Sequence, residues 1–162
     1  MNITLIGIAL LIGAFGSFAT LAQDDARQKA LQAVFDDLEK GIKSKEEAPF
    51  KARWHAEGYE KNLCGGSGVA GKGVFGQGSR KKWFLKPNLA KAKIVEDGAV
   101  IVVSCDVWAW EKEKAVDKVD MVLVKDKETY LVLGGGEKSD DVDGLVSRWS
   151  KKEPLEAPKK PE

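Results

Sequence analysis

The hydrophobic pattern of this chain opens with an unbroken apolar run. Residues 3–22 contain no Asp, Glu, Lys or Arg, and Thr20-Leu21-Ala22 provides small residues where a signal peptidase would cut. We therefore predict a signal peptide over residues 1–22. Retention of residues 3–22 as an N-terminal membrane anchor is the alternative, since about twenty apolar residues can also span a bilayer. Both interpretations place the following residues in the periplasm, the cell envelope or the extracellular space.

Apolar residues then recur at the three- and four-residue spacing of an amphipathic helix. We predict that this helix is capped by Asp24 or Asp25 and ends at Gly41. Its apolar stripe comprises Ala30, Leu31, Val34, Phe35 and Leu38.

A second, shorter helix is predicted to follow, because Phe50 and Trp54 are spaced one turn apart. Two starting points fit the sequence. Ser44 and Glu47 have the spacing of a capping box, whereas Pro49 is typical of the first helical position.

The next segment, residues 59–78, is rich in glycine. Residues 66–71 match the pattern GxGxxG. A dinucleotide site needs a buried strand before this motif, and here a predicted helix precedes it. We interpret the segment as a loop or pocket rim and predict no cofactor. Residues 74–85 again favour a helix, which ends before Pro87.

Period-two alternation dominates the second half of the chain and predicts a meander of strands over residues 91–95, 99–110, 116–125 and 129–135. The short charged turns between them force antiparallel neighbours. One face of the long second strand carries Ile101, Val103, Cys105, Val107 and Ala109. Its other face carries Val102, Ser104, Asp106, Trp108 and Trp110. We predict that the first face packs against the helices.

A last helix is predicted to start near Ser139 or Asp140. Its apolar stripe comprises Val142, Leu145, Val146 and Trp149. We predict one domain over residues 23–150 and a disordered tail rich in Pro, Lys and Glu over residues 151–162.

Composition narrows the function classes. The chain has 26 Lys+Arg against 25 Asp+Glu, a net charge of +1, and the two signs are interspersed. Nucleic-acid binders usually show a basic excess, so we predict no nucleic-acid partner. Cys64 and Cys105 permit one disulfide outside the cytoplasm, although a buried thiol explains Cys105 equally well. The single histidine and two separated cysteines form no recognisable metal-ligand set, so we predict no metal.

The order of these elements, two helices, a third helix and a meander, resembles the NTF2-like superfamily, particularly its SnoaL-like and ketosteroid-isomerase-like bacterial branches. The resemblance covers residues 24–137. It rests on Phe50-x-x-x-Trp54-His55-x-Glu57-Gly58, on the strand of residues 116–124, and on the closing segment of residues 130–137. It implies an α+β fold shaped like a cone, with N-terminal helices packed on a curved antiparallel sheet.

The resemblance also implies a pocket at the open end of the cone and a homodimer formed through the sheet. Members include isomerases, cyclases, dehydratases and proteins that only bind or scaffold. The catalytic residues of the isomerase branch do not carry over. That branch uses a tyrosine and two acids, whereas the mature chain has only Tyr59 and Tyr130, neither of them in the first helix.

The strongest local chemistry is the alternation Asp106-x-Trp108-x-Trp110. A carboxylate enclosed between indoles would lose its hydration and could act as a general base, with Asp120 on the next strand as its acidic partner. The alternative is that this face points outward, with the tryptophans in a dimer interface. His55 is a further candidate base, although a helix C-terminus would stabilise its charged form without any catalytic role.

Three functions remain open at this stage. The first choice is an exported domain that binds a small apolar or amphipathic ligand. Its site would be lined by Trp54, Tyr59, Trp83, Phe84 and Trp108. The second is an isomerase- or cyclase-type enzyme with Asp106 as general base. The third is a dimeric assembly module without catalysis.

Overall fold

The second half of the chain folds into one antiparallel sheet in the computed structural model, which describes residues 12–64, 83–109 and 114–156. The strands are β1 (Trp83–Pro87), β2 (Lys93–Val95), β3 (Val100–Ala109), β4 (Ala115–Asp126) and β5 (Thr129–Gly136). Their order is β1-β3-β4-β5, and β2 pairs with the other half of β3. The predicted meander is therefore confirmed for the strands that follow residue 92.

Short turns and bulges shape this sheet. The β4–β5 turn is Lys127-Glu128, with Lys127 in the left-handed region at a φ of 55°. Bulges interrupt the ladder between Val107 and Trp108 and between Val122 and Leu123. A bulge bends its strand and increases the local twist, so these irregularities help the sheet to curl.

Among the described residues, four α-helices accompany the sheet, namely α1 (Ile12–Ser44), α2 (Glu47–Lys51), α3 (Ala56–Lys61) and α4 (Ser139–Ser150). The face of the sheet that packs against α1 is called the inner face. There Ile101, Val103, Cys105 and Val107 pack with the α1 stripe, as the sequence predicts. This cluster also contains Leu31, Val34, Phe35, Leu38, Phe50, Trp54, Tyr59, Met121 and Leu123.

The opposite, outer face is covered in part by α4. Val142 and Leu145 of α4 are buried in a second hydrophobic cluster. Its sheet members are Val100, Val102, Val122, Val124 and Leu133. The predicted last helix is thus confirmed, and with it the α+β class: N-terminal helices packed on a strongly curved antiparallel sheet. Within the described ranges, no helix is both long and apolar enough to cross a membrane.

The predicted end of the first helix at Gly41 is wrong, because α1 continues to Ser44. A methyl group built on Gly41 would lie 2.8 Å from the Cβ of Phe50, so this glycine serves a close contact. Lys45, at a φ of 57°, occupies the left-handed position that follows the helix.

The short second helix begins at neither predicted start. It begins at Glu47, so that Pro49 lies in its first turn, where no backbone N–H is needed. The hydroxyl of Ser44 donates to the Gly41 carbonyl rather than capping α2. Trp54 lies beyond α2 and pairs with Val132 of β5.

The predicted helix over residues 74–85 is wrong at its end, because Trp83, Phe84 and Leu85 belong to β1. Leu85 is buried in the inner cluster, and the half-exposed Phe84 lies opposite Trp108. Alternation and pairing with β3 therefore decide the structure here. Residues 74–82 lie outside the described ranges.

The chain remains packed beyond α4. The sequence predicts a disordered tail from residue 151, whereas Leu155 is buried in the outer cluster. Its carbonyl accepts a hydrogen bond from Lys61 Nζ at 2.9 Å.

Candidate functional site

Three aromatic side chains next to the inner face form the first candidate site. The ring centroid of Trp54 lies 5.9 Å from that of Phe50 and 6.1 Å from that of Tyr59. The Tyr59 hydroxyl donates to Glu47 Oε1 at 2.6 Å. Burial, and then the Glu47 carboxylate, raise the pKa of Tyr59, so its hydroxyl group stays protonated. These contacts fix Tyr59 as a hydrogen-bonded part of the core.

A narrow cavity lies beside this aromatic group. It encloses about 10 Å³, room for about one water molecule. Its lining consists of Phe35, Leu38, Glu39, Ile42, Phe50, Trp54, Leu85 and Met121. The indole Nε1–H of Trp54 is buried and has no acceptor among the described residues. The lining is thus mainly apolar, with Glu39 as its one charged residue, and it includes the Trp54 indole with its unused donor.

The outer face carries the second group of candidate residues, in the part of β1, β3 and β4 where the side chains are polar or half-exposed. This patch consists of three rows across the strands. An aromatic row pairs Phe84 with Trp108, an ionic row aligns Lys86, Asp106 and Lys118, and a polar row aligns Ser104 with Asp120.

Trp108 is the centre of this outer patch. Lys86 Nζ lies 3.6 Å from its ring centroid, close enough for a cation–π contact. The Phe84 ring stacks at a centroid distance of 6.3 Å. The indole Nε1–H of Trp108 is buried without an acceptor in the part of the chain that the structure describes. The patch thus presents aromatic surface bordered by charges.

Asp106 alternates with Cys105 and Val107 and therefore points away from the inner core. A ligand held between α1 and the sheet is out of its reach. The predicted pairing of Asp106 with Asp120 is wrong, because Asp106 lies opposite Lys118 and Asp120 lies opposite Ser104. The Ser104 hydroxyl donates to the Asp120 carboxylate. Asp106 is thus flanked by Lys86 and Lys118 on the two neighbouring strands.

His55 does not lie at a helix C-terminus, so the predicted electrostatic reason for it is wrong. It precedes α3, and its backbone N–H donates to the Val132 carbonyl at 2.9 Å. Its ring meets Trp149 of α4 edge-on at a centroid distance of 5.0 Å. The imidazole Nδ1 is buried without a partner among the described residues. His55 therefore lies with α4, apart from the Asp106 row.

The predicted ligand-binding residues consequently divide between the two faces of the sheet. Trp54 and Tyr59 lie in the inner cluster, whereas Phe84 and Trp108 lie together on the outer face. Trp83 occupies the start of β1, and Trp110 lies outside the described ranges. Sequence reasoning missed Lys86, which completes the ionic row. The alternation of Phe84, Leu85 and Lys86 was the signal that would have found it.

The cysteines belong to the inner core. Cys64 and Cys105 are buried in the same cluster, and burial raises the pKa of both thiols well above the usual range. Buried thiols with raised pKa are poor nucleophiles. Among the described residues no group of His, Cys, Asp and Glu is arranged to hold a metal ion.

Comparison with models of known protein families, with curated proteins and with solved structures finds no significant match to this chain. The case for a function therefore rests on the geometry of the two faces.

Proposed function

We propose that this chain is an exported NTF2-like module that acts by association, using the outer patch to pair with a second copy of itself. One observation carries the proposal: the Asp106 and Trp108 side of β3 points away from the core and is left uncovered by α4 among the described residues. The helix-then-meander order and the curved sheet support the NTF2-like assignment. The apolar run of residues 3–22 supports export.

The charge pattern of the ionic row favours a two-fold contact. Lys86, Asp106 and Lys118 alternate in sign across three neighbouring strands. A two-fold axis between Asp106 and Lys118 would set each carboxylate against the ammonium group of the other copy. Trp108 would then add aromatic area at the centre of the contact, where interfaces are enriched in tryptophan.

A charge-swap experiment tests this association. The mass of the purified chain is measured by light scattering at several concentrations. Asp106→Lys and Lys118→Asp, each alone, should weaken dimerisation at least about tenfold, because like charges then face each other. The double variant Asp106→Lys/Lys118→Asp should restore it. Asp126→Lys and Lys127→Asp, at the exposed end of β4 and in the turn that follows it, are the matched controls.

The proposal would be contradicted if the chain were a monomer at every concentration. It would also be contradicted if both single variants formed a dimer as readily as the parent chain. A mixture of the two single variants should pair as a heterodimer, because each lysine then faces an aspartate of the other copy. This result would distinguish a contact between copies from the Asp106–Lys118 neighbours within one chain. The dimer should also weaken as salt is added, because salt screens exposed charges.

A second candidate function is supported by the unused Nε1–H of Trp54. A small amphipathic ligand with a carbonyl group could enter the narrow cavity, accept this hydrogen bond and displace apolar side chains. The probe is 2-octanone, and the readout is thermal stabilisation of the chain. Trp54→Phe should abolish the stabilisation, whereas Trp149→Phe, on the outer side, should retain it. Equal stabilisation of both variants would exclude this site.

A further inference from the structure

A polar cleft lies at the end of the sheet where two turns meet the middle of α1. Its volume is about 200 Å³. The residues that matter for its chemistry are Arg27, Asp97, Gly98, Lys125, Glu128 and Tyr130. This volume is below the range of about 300–1,000 Å³ that is usual for pockets of drug-sized ligands, so only a small molecule fits.

The floor of the cleft is a fixed cation. The Arg27 side chain is 15% exposed, and its Nη1 donates to Asp24 Oδ1 at 2.8 Å. Its Nε would lie 3.5 Å from a methyl group built on Gly98, so the guanidinium rests against this glycine. Tyr130, itself buried, donates its hydroxyl to the Gly98 carbonyl at 3.2 Å. The two contacts hold Arg27 and the turn together.

The turn at the rim is conformationally strained. Glu96, Asp97 and Gly98 have φ angles of 50°, 53° and 91°, three successive residues in the left-handed region. Two of them are not glycine. Aspartate tolerates this conformation better than most residues, whereas glutamate rarely adopts it. Strain of this kind persists where the surrounding structure enforces it, and it concentrates at functional sites. Here it places Asp97 on the cleft.

The cleft carries charges of both signs. Arg27 and Lys125 are cationic, and Asp97 and Glu128 are anionic. Arg27 is already paired with Asp24. In the described ranges, by contrast, none of Lys125, Asp97 and Glu128 takes part in an ion pair. An anion alone or a cation alone would satisfy only half of these groups.

We propose that this cleft binds a small zwitterion of amino-acid size. Arg27 and Lys125 hold its carboxylate, and Asp97 and Glu128 accept hydrogen bonds from its ammonium group. The site lies apart from the outer patch and from the narrow cavity beside Trp54, and it depends on neither.

Three matched probes test the proposal by calorimetry on the full 162-residue chain. L-Alanine carries both charges, whereas propionate keeps only the carboxylate and ethylamine only the ammonium group. L-Alanine should bind one per chain, and each single-charge probe should bind at least about tenfold more weakly, since each loses one set of charge-assisted hydrogen bonds.

Variants locate the binding. Lys125→Met and Asp97→Asn should each weaken L-alanine binding about tenfold or more. Asparagine tolerates the left-handed backbone at position 97, so this change preserves the turn. Lys127→Met and Asp126→Asn are neighbours that do not line the cleft, and they should bind L-alanine like the parent.

Two results would overturn the proposal. One is no saturable L-alanine binding below about 10 mM. The other is binding of propionate or ethylamine as tight as that of L-alanine, which would show a site for a single charge. Binding that survives both Lys125→Met and Asp97→Asn would likewise place the zwitterion elsewhere.

Discussion

At the scale of single residues, the space around a glycine decides whether a larger side chain would fit at its position. A methyl group built on Gly58 of α3 would lie 2.0 Å from the carbonyl oxygen of Leu133, a backbone atom that cannot turn aside. A methyl group on Gly144 of α4 would meet nothing within 4 Å. The two glycines look alike in the sequence, and only the packed structure tells them apart.

We therefore expect opposite results from the same substitution at these two positions. Gly58→Ala should lower the free energy of unfolding by about 3 kcal/mol, because α3 must move off β5. Gly144→Ala should raise it by about 0.5–1 kcal/mol, since alanine is the better helix former. Urea titration at 25 °C measures both. Equal effects in the two variants would contradict the packing of α3 described above.

The buried thiol of Cys105 makes the free energy of unfolding depend on pH. Burial, with smaller contributions from Asp120 and Asp106, raises the pKa of its thiol in the folded state, whereas an exposed thiol titrates near about 8.5. Above that pH the unfolded chain loses a proton that the folded chain keeps. Stability is therefore complete at lower pH and falls as the pH rises, by up to about 1.4 kcal/mol per pH unit for one thiol.

The measurement is urea unfolding under reducing conditions from pH 7 to pH 10. Cys105→Ala should flatten the alkaline loss of stability by up to this slope, whatever its effect at pH 7. A parallel curve, shifted but equally steep, would mean that the thiol titrates alike in both states.

At the scale of secondary-structure elements, the sequence predicts strongly periodic segments and misses those that tertiary contacts decide. The strands after residue 92 and helix α4 follow from alternation and helical spacing. The end of α1 does not, since Gly41 serves a contact with Phe50 that no local pattern reveals. Strand β1 was predicted as helix because its three apolar residues suit both periods, and only pairing with β3 selects the strand.

The segment after α4 behaves as part of the fold. Leu155 is 3% exposed and packs in the outer cluster, although its neighbours are Pro, Lys and Glu residues typical of disorder. Leu155→Ala should lower the free energy of unfolding by about 2 kcal/mol through loss of buried apolar surface. Glu156→Ala removes an exposed ion pair with Arg148 and should change it by less than about 0.5 kcal/mol. Indistinguishable unfolding curves would show that the segment is loosely held.

At the scale of the whole molecule, the sequence could sort residues onto the two faces of the sheet and predict which face packs against the helices. Alternation correctly separated Asp106 and Trp108 from Ile101 and Val103. It left open whether the Asp106 face encloses a site or points outward, because both faces of β3 carry enough apolar residues to bury. The predicted site therefore divides into an inner and an outer group. The polar cleft joins residues of α1 and both turns, separated by up to about a hundred positions, and no local motif marks it.

Because both hydrophobic clusters are built on the same strands, we expect them to unfold together. Neighbouring residues of β3, such as Val102 and Val103, belong to opposite clusters, so releasing one cluster exposes the strands that support the other. Val34→Ala weakens the inner cluster and Leu145→Ala the outer one, each by about 2 kcal/mol. Native-state hydrogen exchange should then show that each variant lowers the protection of both α1 and α4 amides equally. If Val34→Ala left the protection of the α4 amides unchanged, the outer cluster would be a separate folding unit that does not depend on the inner cluster.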